Sequence, residues 1–219
     1  MALLGYKLFS FIIIMVILNK NNGRKRVILR TFIAIDFSPE IIRKISGIIK
    51  YFKTKTPAGA LKWVAPENLH LTIKFLGEVP EGNLDKIKAL INQTLVDTQA
   101  FGIGVEGLGM YPSAQKPRVI WLGIKGGEPI IKIHERLDSQ LENLDIRPDN
   151  RGFSPHLTIA RVRRNTDRET VKVIGETLSA YKVDSLGVCT IDHVVLYKSD
   201  LTPKGPIYTE LLSSPLNKV

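Results

Sequence analysis

The four-residue motif His-Leu-Thr-Ile occurs twice in this chain, in ENLHLTIKFL and again in FSPHLTIARV, and the two copies use half of the four histidines. In an extended strand, alternate residues face the same side. His70 and Thr72 therefore share one face of a strand, as do His156 and Thr158, while the leucine and isoleucine of each copy pack into a core. Two matched strands of this kind favour two similar lobes that face each other across a groove.

Paired histidines and threonines suit acid–base chemistry on a phosphodiester. An imidazole with a pKa of about 6.5 can accept or donate a proton near neutral pH. One neutral ring can take a proton from an attacking water while a protonated ring gives one to a leaving oxygen. Threonine hydroxyls beside the rings can bind the non-bridging phosphate oxygens on which charge builds. The four side chains together predict in-line cleavage of a phosphodiester.

The motif offers few ligands for a catalytic metal. A catalytic zinc site usually has three protein ligands, and neither copy carries an Asp or Glu on its histidine face. Lys74 follows on the face of His70 and would repel a cation, so we expect a site without metal or cofactor. The alternative for a single histidine is a satisfied polar residue on a half-buried strand. We retain that interpretation for His134 and His193, which have no threonine two positions on.

Composition places the chain among ordinary globular proteins. Of its 219 residues, 44% are hydrophobic and 24% are charged. A single cysteine, Cys189, excludes an intramolecular disulfide and a Cys-x-x-Cys metal site, which favours a reducing, cytoplasmic location. The net charge is +10, and five basic residues without an acid lie within residues 1–26. The modest surplus on the rest of the chain is consistent with a phosphate-bearing ligand.

Residues 1–26 form an apolar and basic extension before the regular part of the chain. Its mainly apolar run, residues 8–18, is shorter than the about 20 residues that cross a bilayer. Three interpretations compete: a membrane-associating anchor, an extra helix, and an upstream extension with little influence on the fold. The last two together are favoured over membrane association.

From residue 27 onward, strand and helix patterns alternate and predict one α+β domain over residues 27–219. Ser38 is placed to cap a helix that follows the first strand, with Pro39 in its first turn and apolar residues at 41, 45, 48 and 52. Further helices are expected near 84–95, 128–144 and from 166 or 167 onward. Trp63 and Trp121 could each stack on a base, but Trp121 lies within the apolar run VIWLGI and is expected in the core.

Five segments in order, FIAID, ENLHLTIKFLGE, PRVIWLGI, SPHLTIAR and KSDLTPKGPIYTEL, resemble the RNA 2′,3′-cyclic phosphodiesterases, also called 2′-5′ RNA ligases, of the two-histidine phosphoesterase superfamily. The likeness covers residues 27–219 and is greatest to archaeal members. It implies a bilobal α+β fold. Two pseudo-symmetric lobes with antiparallel sheets would line a central groove, with the helices outside.

The resemblance also implies metal-independent hydrolysis of RNA 2′,3′-cyclic phosphate ends to 2′-phosphate ends. His70 would donate the proton to the leaving 3′-oxygen, His156 would activate water, and Thr72 and Thr158 would hold the phosphate. Arg161 matches a family arginine that contacts the phosphate. Strict alternation places Arg161 on the face opposite His156, so it contributes only if the strand twists or ends there. The partner would be an RNA end, with tRNA-derived ends one candidate, and we expect a monomer.

Three alternatives remain open at this point. The same site suits joining of RNA ends through a 2′-5′ bond, or opening of a cyclic phosphate on a small nucleotide. A noncatalytic RNA-binding module would keep the groove without the chemistry, although both histidines are intact. Arginines beside the second motif either lead RNA toward the groove or are solvated loop residues; they are Arg147, Arg151, Arg163, Arg164 and Arg168.

Overall fold

The computed structural model describes residues 15–17, 26–149, 152–203 and 205–218, which contain two five-stranded antiparallel sheets and four α-helices. In chain order the elements are β1 (Met15–Ile17), β2 (Arg26–Asp36), α1 (Pro39–Lys55), β3 (Leu61–Trp63), β4 (His70–Pro80), α2 (Leu84–Leu95), β5 (Phe101–Tyr111), β6 (Val119–Lys125), α3 (Glu128–Leu141), β7 (His156–Val162), α4 (Arg168–Ser179), β8 (Val188–Ile191), β9 (His193–Thr202) and β10 (Gly205–Pro215).

The two sheets repeat one arrangement. In the first sheet, β2 lies between β4 and β9, and β10 pairs with the far edge of β9. In the second sheet, β6 lies between β7 and β5, and β8 pairs with the far edge of β5. The chain runs strand, helix, histidine strand in both halves, as β2-α1-β4 and as β6-α3-β7. The predicted α+β fold with two pseudo-symmetric halves is confirmed.

The helices join the two halves because each crossover helix packs on the other half. Helices α2 and α3 contact each other, and they cover the first sheet at β10 and β4. Helix α1 reaches the second sheet, where the Ser38 amide donates to Cys189 Sγ at 3.2 Å. The Phe52 ring lies 5.6 Å from the Tyr181 ring, just after α4. One apolar core therefore runs through both halves, and the opposite faces of the sheets stay open toward each other.

Local sequence sets the helix starts. The Ser38 hydroxyl accepts from the Ile41 amide at 3.4 Å, as predicted for an N-cap. In α4 the cap is Asp167 instead of Thr166: its carboxylate accepts from the Thr170 amide at 2.8 Å. Helix α3 is shorter than expected, ending at Leu141 before a 3-10 turn.

The first 26 residues are described only in part. Met15–Ile17 form a strand that pairs antiparallel with Arg26–Ile28, which differs from the interpretation of an extra helix at these three positions. The anchor and the upstream extension concern residues 1–14 and 18–25, which lie outside the described residues. Within the part of the chain that is described, every helix is too short or too polar to cross a membrane.

Two glycines in helices give opposite predictions for an added methyl group. A Cβ at Gly47 in α1 would meet no atom within 4 Å, whereas a Cβ at Gly175 in α4 would lie 1.9 Å from the Ala114 carbonyl oxygen. Gly47→Ala should raise the free energy of unfolding by about 0.5–1 kcal/mol, because alanine favours helix. Gly175→Ala should lower it by about 1–3 kcal/mol through overpacking. Urea denaturation of both variants measures this, and shifts of the same sign would contradict the packing described here.

Candidate active site

The two copies of the motif meet in one groove between the sheets. A cavity of about 670 Å³ is lined by His70 and Thr72 from β4 and by His156 and Thr158 from β7. Strands β4 and β7 contact each other across it. The structure therefore brings together the four side chains on which the sequence analysis depended.

Both histidine strands bulge at the isoleucine of the motif. On β4, Thr72 pairs with Ala34 and Lys74 with Ile33, which leaves Ile73 as the extra residue. On β7, the register likewise skips Ile159. A bulge inserts one residue and reverses the alternation beyond it. The burial patterns of the two strands agree residue by residue from the histidine through the seventh position.

The bulge decides where Arg161 points. Strict alternation predicted the face opposite His156, but the reversed alternation returns the sixth residue of each copy, counted from the histidine, to the groove. Arg161 lines the groove on the second sheet, and Phe75 holds the matching position on the first, with 60% of its surface exposed. The strand irregularity on which its contribution depended is thus present, and a contact of Arg161 with the phosphate stays a prediction.

Backbone carbonyl groups contact both imidazoles, that of Ser154 at His156 and that of Asn68 at His70. His156 Nδ1 lies 2.8 Å from the Ser154 carbonyl oxygen, which can only accept, so Nδ1 carries the hydrogen. This leaves Nε2 of a neutral His156 as the nitrogen that can accept a proton. Burial lowers the pKa of His70, and it outweighs the Asn68 carbonyl and the Asp36 carboxylate, which raise that pKa.

Aromatic rings hold the two imidazoles in place. His70 lies between Phe32, with ring centroids 4.8 Å apart, and Tyr208, at 5.0 Å. His156 contacts Tyr111 at 5.1 Å and Trp121 at 6.1 Å. Tyr197 also lies 6.4 Å from His70, so each ring has at least two aromatic neighbours that limit its rotation.

The position of Trp121 corrects an expectation. Trp121 pairs with Thr158 across β6 and β7, so it lies on the groove face beside His156 instead of in the apolar core. The expectation was wrong because the run VIWLGI was assigned to the core as a whole, whereas strand alternation divides it. Gly109 makes this placement feasible, since a Cβ there would lie 2.1 Å from the indole. Trp63, by contrast, packs against the core.

Lys74 is buried and paired, a role that the sequence did not indicate. Its ammonium contacts the Asp138 carboxylate of α3 and donates to the Arg147 carbonyl oxygen at 3.0 Å. The Asp149 amide donates to the same carboxylate at 3.1 Å. Burial opposes the ionisation of Asp138, but the hydrogen bonds from Lys74 and Asp149 prevail and lower its pKa. The pair attaches residues 147–149 to β4 at the edge of the groove.

The other two histidines lie away from the groove. His134 Nδ1 is 2.9 Å from the Ile73 carbonyl oxygen, and the ring stacks on Phe153 at 4.2 Å. His193 Nδ1 contacts the Asp192 carboxylate at 2.6 Å. Both have the satisfied polar surroundings that were expected for them. Among the described residues, no group of three or more His, Cys, Asp or Glu side chains is arranged to hold a metal ion.

Several groove residues were missed by the sequence analysis. Arg30, Ser199 and Tyr208 line the groove from the first sheet. Burial raises the pKa of the Tyr208 hydroxyl, while the positive charges of Arg30 and Arg161 act to lower it. Strand alternation in β2 places residues 30 and 32 on one face, and this pattern could have predicted Arg30 as a groove residue. Of the flanking arginines, Arg151 lies outside the described residues, and the other four do not line the groove: Arg147, Arg163, Arg164 and Arg168.

Comparison with known proteins gives the same result as the geometry. The family model of the 2′-5′ RNA ligase superfamily matches residues 40–203, a span that contains both motifs. This chain belongs to the 2′-5′ RNA ligase superfamily. The resemblance drawn from the five sequence segments is thereby confirmed.

Archaeal relatives and solved structures extend the match. Superfamily members named RNA 2′,3′-cyclic phosphodiesterase include one from Methanothermobacter thermautotrophicus, 35% identical over 184 residues, covering 83% of this chain and 96% of that protein. The Methanocaldococcus jannaschii member is 37% identical over 180 residues, or 82% and 96% of the two chains. Escherichia coli LigT complexed with 3′-AMP superposes with a TM-score of 0.69 at 26% identity, covering 86% of this chain and 98% of LigT. Thermus thermophilus TT0787 gives 0.68 at 29% identity, with 87% and 99% covered.

Removal of the buried ammonium tests the Lys74 pair. Lys74→Met leaves the Asp138 carboxylate without its ionic partner and should lower the free energy of unfolding by about 3 kcal/mol. The control, Lys44→Met, breaks the exposed ion pair with Glu40 and should leave the free energy of unfolding almost unchanged. Denaturant unfolding near neutral pH measures both changes.

The same pair predicts a pH dependence. Because the pKa of Asp138 is lowered by folding, the stability it contributes is present above about pH 3.9 and is lost as the pH falls through the lower, folded pKa. The wild-type protein should therefore lose more stability below about pH 4 than Lys74→Met loses. Parallel curves for the two proteins would contradict the pairing.

Proposed function

We propose that this protein hydrolyses RNA 2′,3′-cyclic phosphodiester ends to 2′-phosphomonoester ends by metal-independent acid–base catalysis. The observation that carries the proposal is the meeting of His70, Thr72, His156 and Thr158 in one groove. The names of the archaeal relatives support the substrate class. Structures of E. coli LigT with 3′-AMP and with phosphate support a nucleotide phosphate as the ligand of a groove of this fold.

The proposed reaction is a displacement at phosphorus. The threonine hydroxyls and Arg161 bind the non-bridging oxygens, where negative charge grows in the transition state. His156 Nε2 accepts a proton from the attacking water as the new P–O bond forms. His70 donates a proton to the 3′-oxygen as its bond to phosphorus breaks. The product carries a free 3′-hydroxyl and a 2′-phosphate.

The burial of His70 bears on its proposed role as the acid. In the free protein, burial lowers the pKa of His70 and favours the neutral ring. An anionic phosphodiester in the groove favours the charged ring and so raises that pKa. Binding of the substrate thus favours uptake of a proton from solvent by His70, and His70 then donates that proton to the leaving oxygen. This coupling keeps the acid neutral until a phosphate is present.

The wider setting is part of the proposal. We expect the domain over residues 27–219 to act as a monomer, because both walls of the groove come from one chain. A cytoplasmic location is supported by the single buried thiol, Cys189. The RNA partner is an end with a 2′,3′-cyclic phosphate, and tRNA-derived ends remain a candidate. Joining of RNA ends through a 2′-5′ bond would use the same groups in the reverse reaction. The concentrations of water and of RNA ends would decide between hydrolysis and joining.

Replacement of either groove histidine tests the chemistry against a noncatalytic RNA-binding module. His70→Asn and His156→Asn should each lower kcat by about 10²- to 10⁴-fold, because each removes a proton-transfer group. RNA binding should stay within a few-fold of wild type. The matched control is His193→Asn, which lies outside the groove. The measurement is end-group analysis of a short RNA with a 2′,3′-cyclic phosphate, and undiminished hydrolysis by the groove variants would favour the binding module.

The pH dependence follows from two imidazoles in opposite states. The rate should fall at low pH, where the general base carries a proton, and at high pH, where His70 is neutral. Because the bound phosphate raises the pKa of His70, the alkaline limb of kcat should lie at higher pH than that of kcat/KM. A chelator should leave both parameters unchanged. Activity that collapses with EDTA and returns with zinc would overturn the metal-free part of the proposal.

A further inference from the structure

Three polar side chains form a row across the first sheet, on the wall of the groove. Tyr208 of β10 pairs with Ser199 of β9. The pairing of Thr31 with Lys198 places Arg30 of β2 next to Ser199 on the other side. Directly opposed residues on neighbouring strands have Cβ atoms about 4.5–5.5 Å apart. All three members of this donor row, Arg30, Ser199 and Tyr208, line the groove.

The donor row begins at the catalytic centre and leads away from it. The Tyr208 ring contacts the His70 ring, with centroids 5.0 Å apart. On β2, next to the histidine strand β4, Arg30 lies two residues beyond Phe32, whose ring contacts the His70 ring at 4.8 Å, and two residues span about 7 Å of strand. An anion bound by Arg30 on that side therefore lies beside the phosphorus atom between the histidines.

The arginine at the far end of the row has no ion-pair partner among the described residues. Arg30 is exposed, and no carboxylate of the described residues lies within ion-pair distance of its guanidinium. Glu78 is opposite Arg30 in the β2–β4 register but makes no ion pair with it. Arg161 stands on the facing wall, and both guanidinium groups act on the Tyr208 hydroxyl. This part of the groove therefore attracts an anion from two sides.

We propose that Arg30, with Ser199 and Tyr208, binds the phosphodiester that links the terminal nucleotide to the preceding one. The inference rests on the proposed function and adds a substrate preference to it: cyclic phosphate ends of RNA chains are selected over cyclic mononucleotides. A guanidinium and two hydroxyls supply only hydrogen bonds that a phosphodiester can accept. The exposed Leu201, which follows Ser199 on the same face of β9, gives the adjoining ribose an apolar contact.

The test compares three substrates that share one reacting end. They are adenosine 2′,3′-cyclic phosphate, the dinucleotide ApA with the same cyclic end, and that dinucleotide with a neutral methylphosphonate in place of its internal phosphate. Wild-type protein should show a higher kcat/KM for the dinucleotide than for the mononucleotide. The kcat/KM for the methylphosphonate should be about tenfold lower than that for the natural dinucleotide, as expected when a charge-assisted hydrogen bond is lost.

Arg30→Gln should lower the ratio of kcat/KM for the dinucleotide to that for the mononucleotide by about tenfold. In this variant the methylphosphonate and the natural dinucleotide should react equally, because the charge that distinguished them is gone. Arg43→Gln, an exposed arginine on α1 outside the groove, is the matched control and should keep the wild-type ratio.

The outcomes separate the two proposals. An unchanged ratio in Arg30→Gln, or a methylphosphonate cleaved as fast as the natural dinucleotide by the wild-type protein, overturns the second phosphate site and leaves the proposed function standing. A wild-type protein that opens none of the three substrates overturns the proposed function itself. Thermal unfolding of Arg30→Gln should match that of wild type, since the side chain is exposed.

Discussion

The bulged pairing of the two histidine strands is the constraint on which the site depends. A regular strand would present the histidine and threonine of each motif to the groove and turn the sixth residue away. The extra isoleucine, Ile73 in β4 and Ile159 in β7, reverses the alternation and adds Phe75 and Arg161 to the groove walls. The bulged isoleucine and the residue after it both point inward, so β7 adds Ala160 to the core and β4 adds the paired Lys74. One backbone irregularity, used twice, thus builds both walls.

Rigidity around this pair of strands comes from packing on their far side. Helices that cross between the halves share one core, so neither sheet can move without disturbing the other. The buried Lys74–Asp138 pair connects β4 to α3 and to residues 147–149. The aromatic neighbours of His70 and His156 complete the arrangement by limiting the imidazoles to narrow orientations. Pre-organised groups of this kind are what phosphoryl chemistry requires, because the protein acts there mainly by position and charge.

Much of the fold was accessible before any coordinates. The cap at Ser38, the apolar faces of the helices and the succession of strands follow from local preference and periodicity, and the structure agrees with them within a few residues. Errors arose where a side chain depends on neighbours that are distant in sequence. Trp121 was assigned to the core because its own segment is apolar. Its pairing with Thr158 places it on the groove face instead, and Gly109 on β5 leaves room there for the indole. Lys74 carried no local sign of burial, since its partner lies on α3.

The sequence by itself determined the groups proposed for the chemistry: two imidazoles, two hydroxyls and the strands that present them. This is because strand alternation is a local property that follows from the motif alone. Tertiary structure alone decided which further groups join them. Arg161 enters the groove through a bulge that depends on cross-strand pairing, and Arg30, Ser199 and Tyr208 become neighbours only through the order of β2, β9 and β10. Contacts between strands far apart in the chain have no local signature, because their register is set by the packing of the whole sheet.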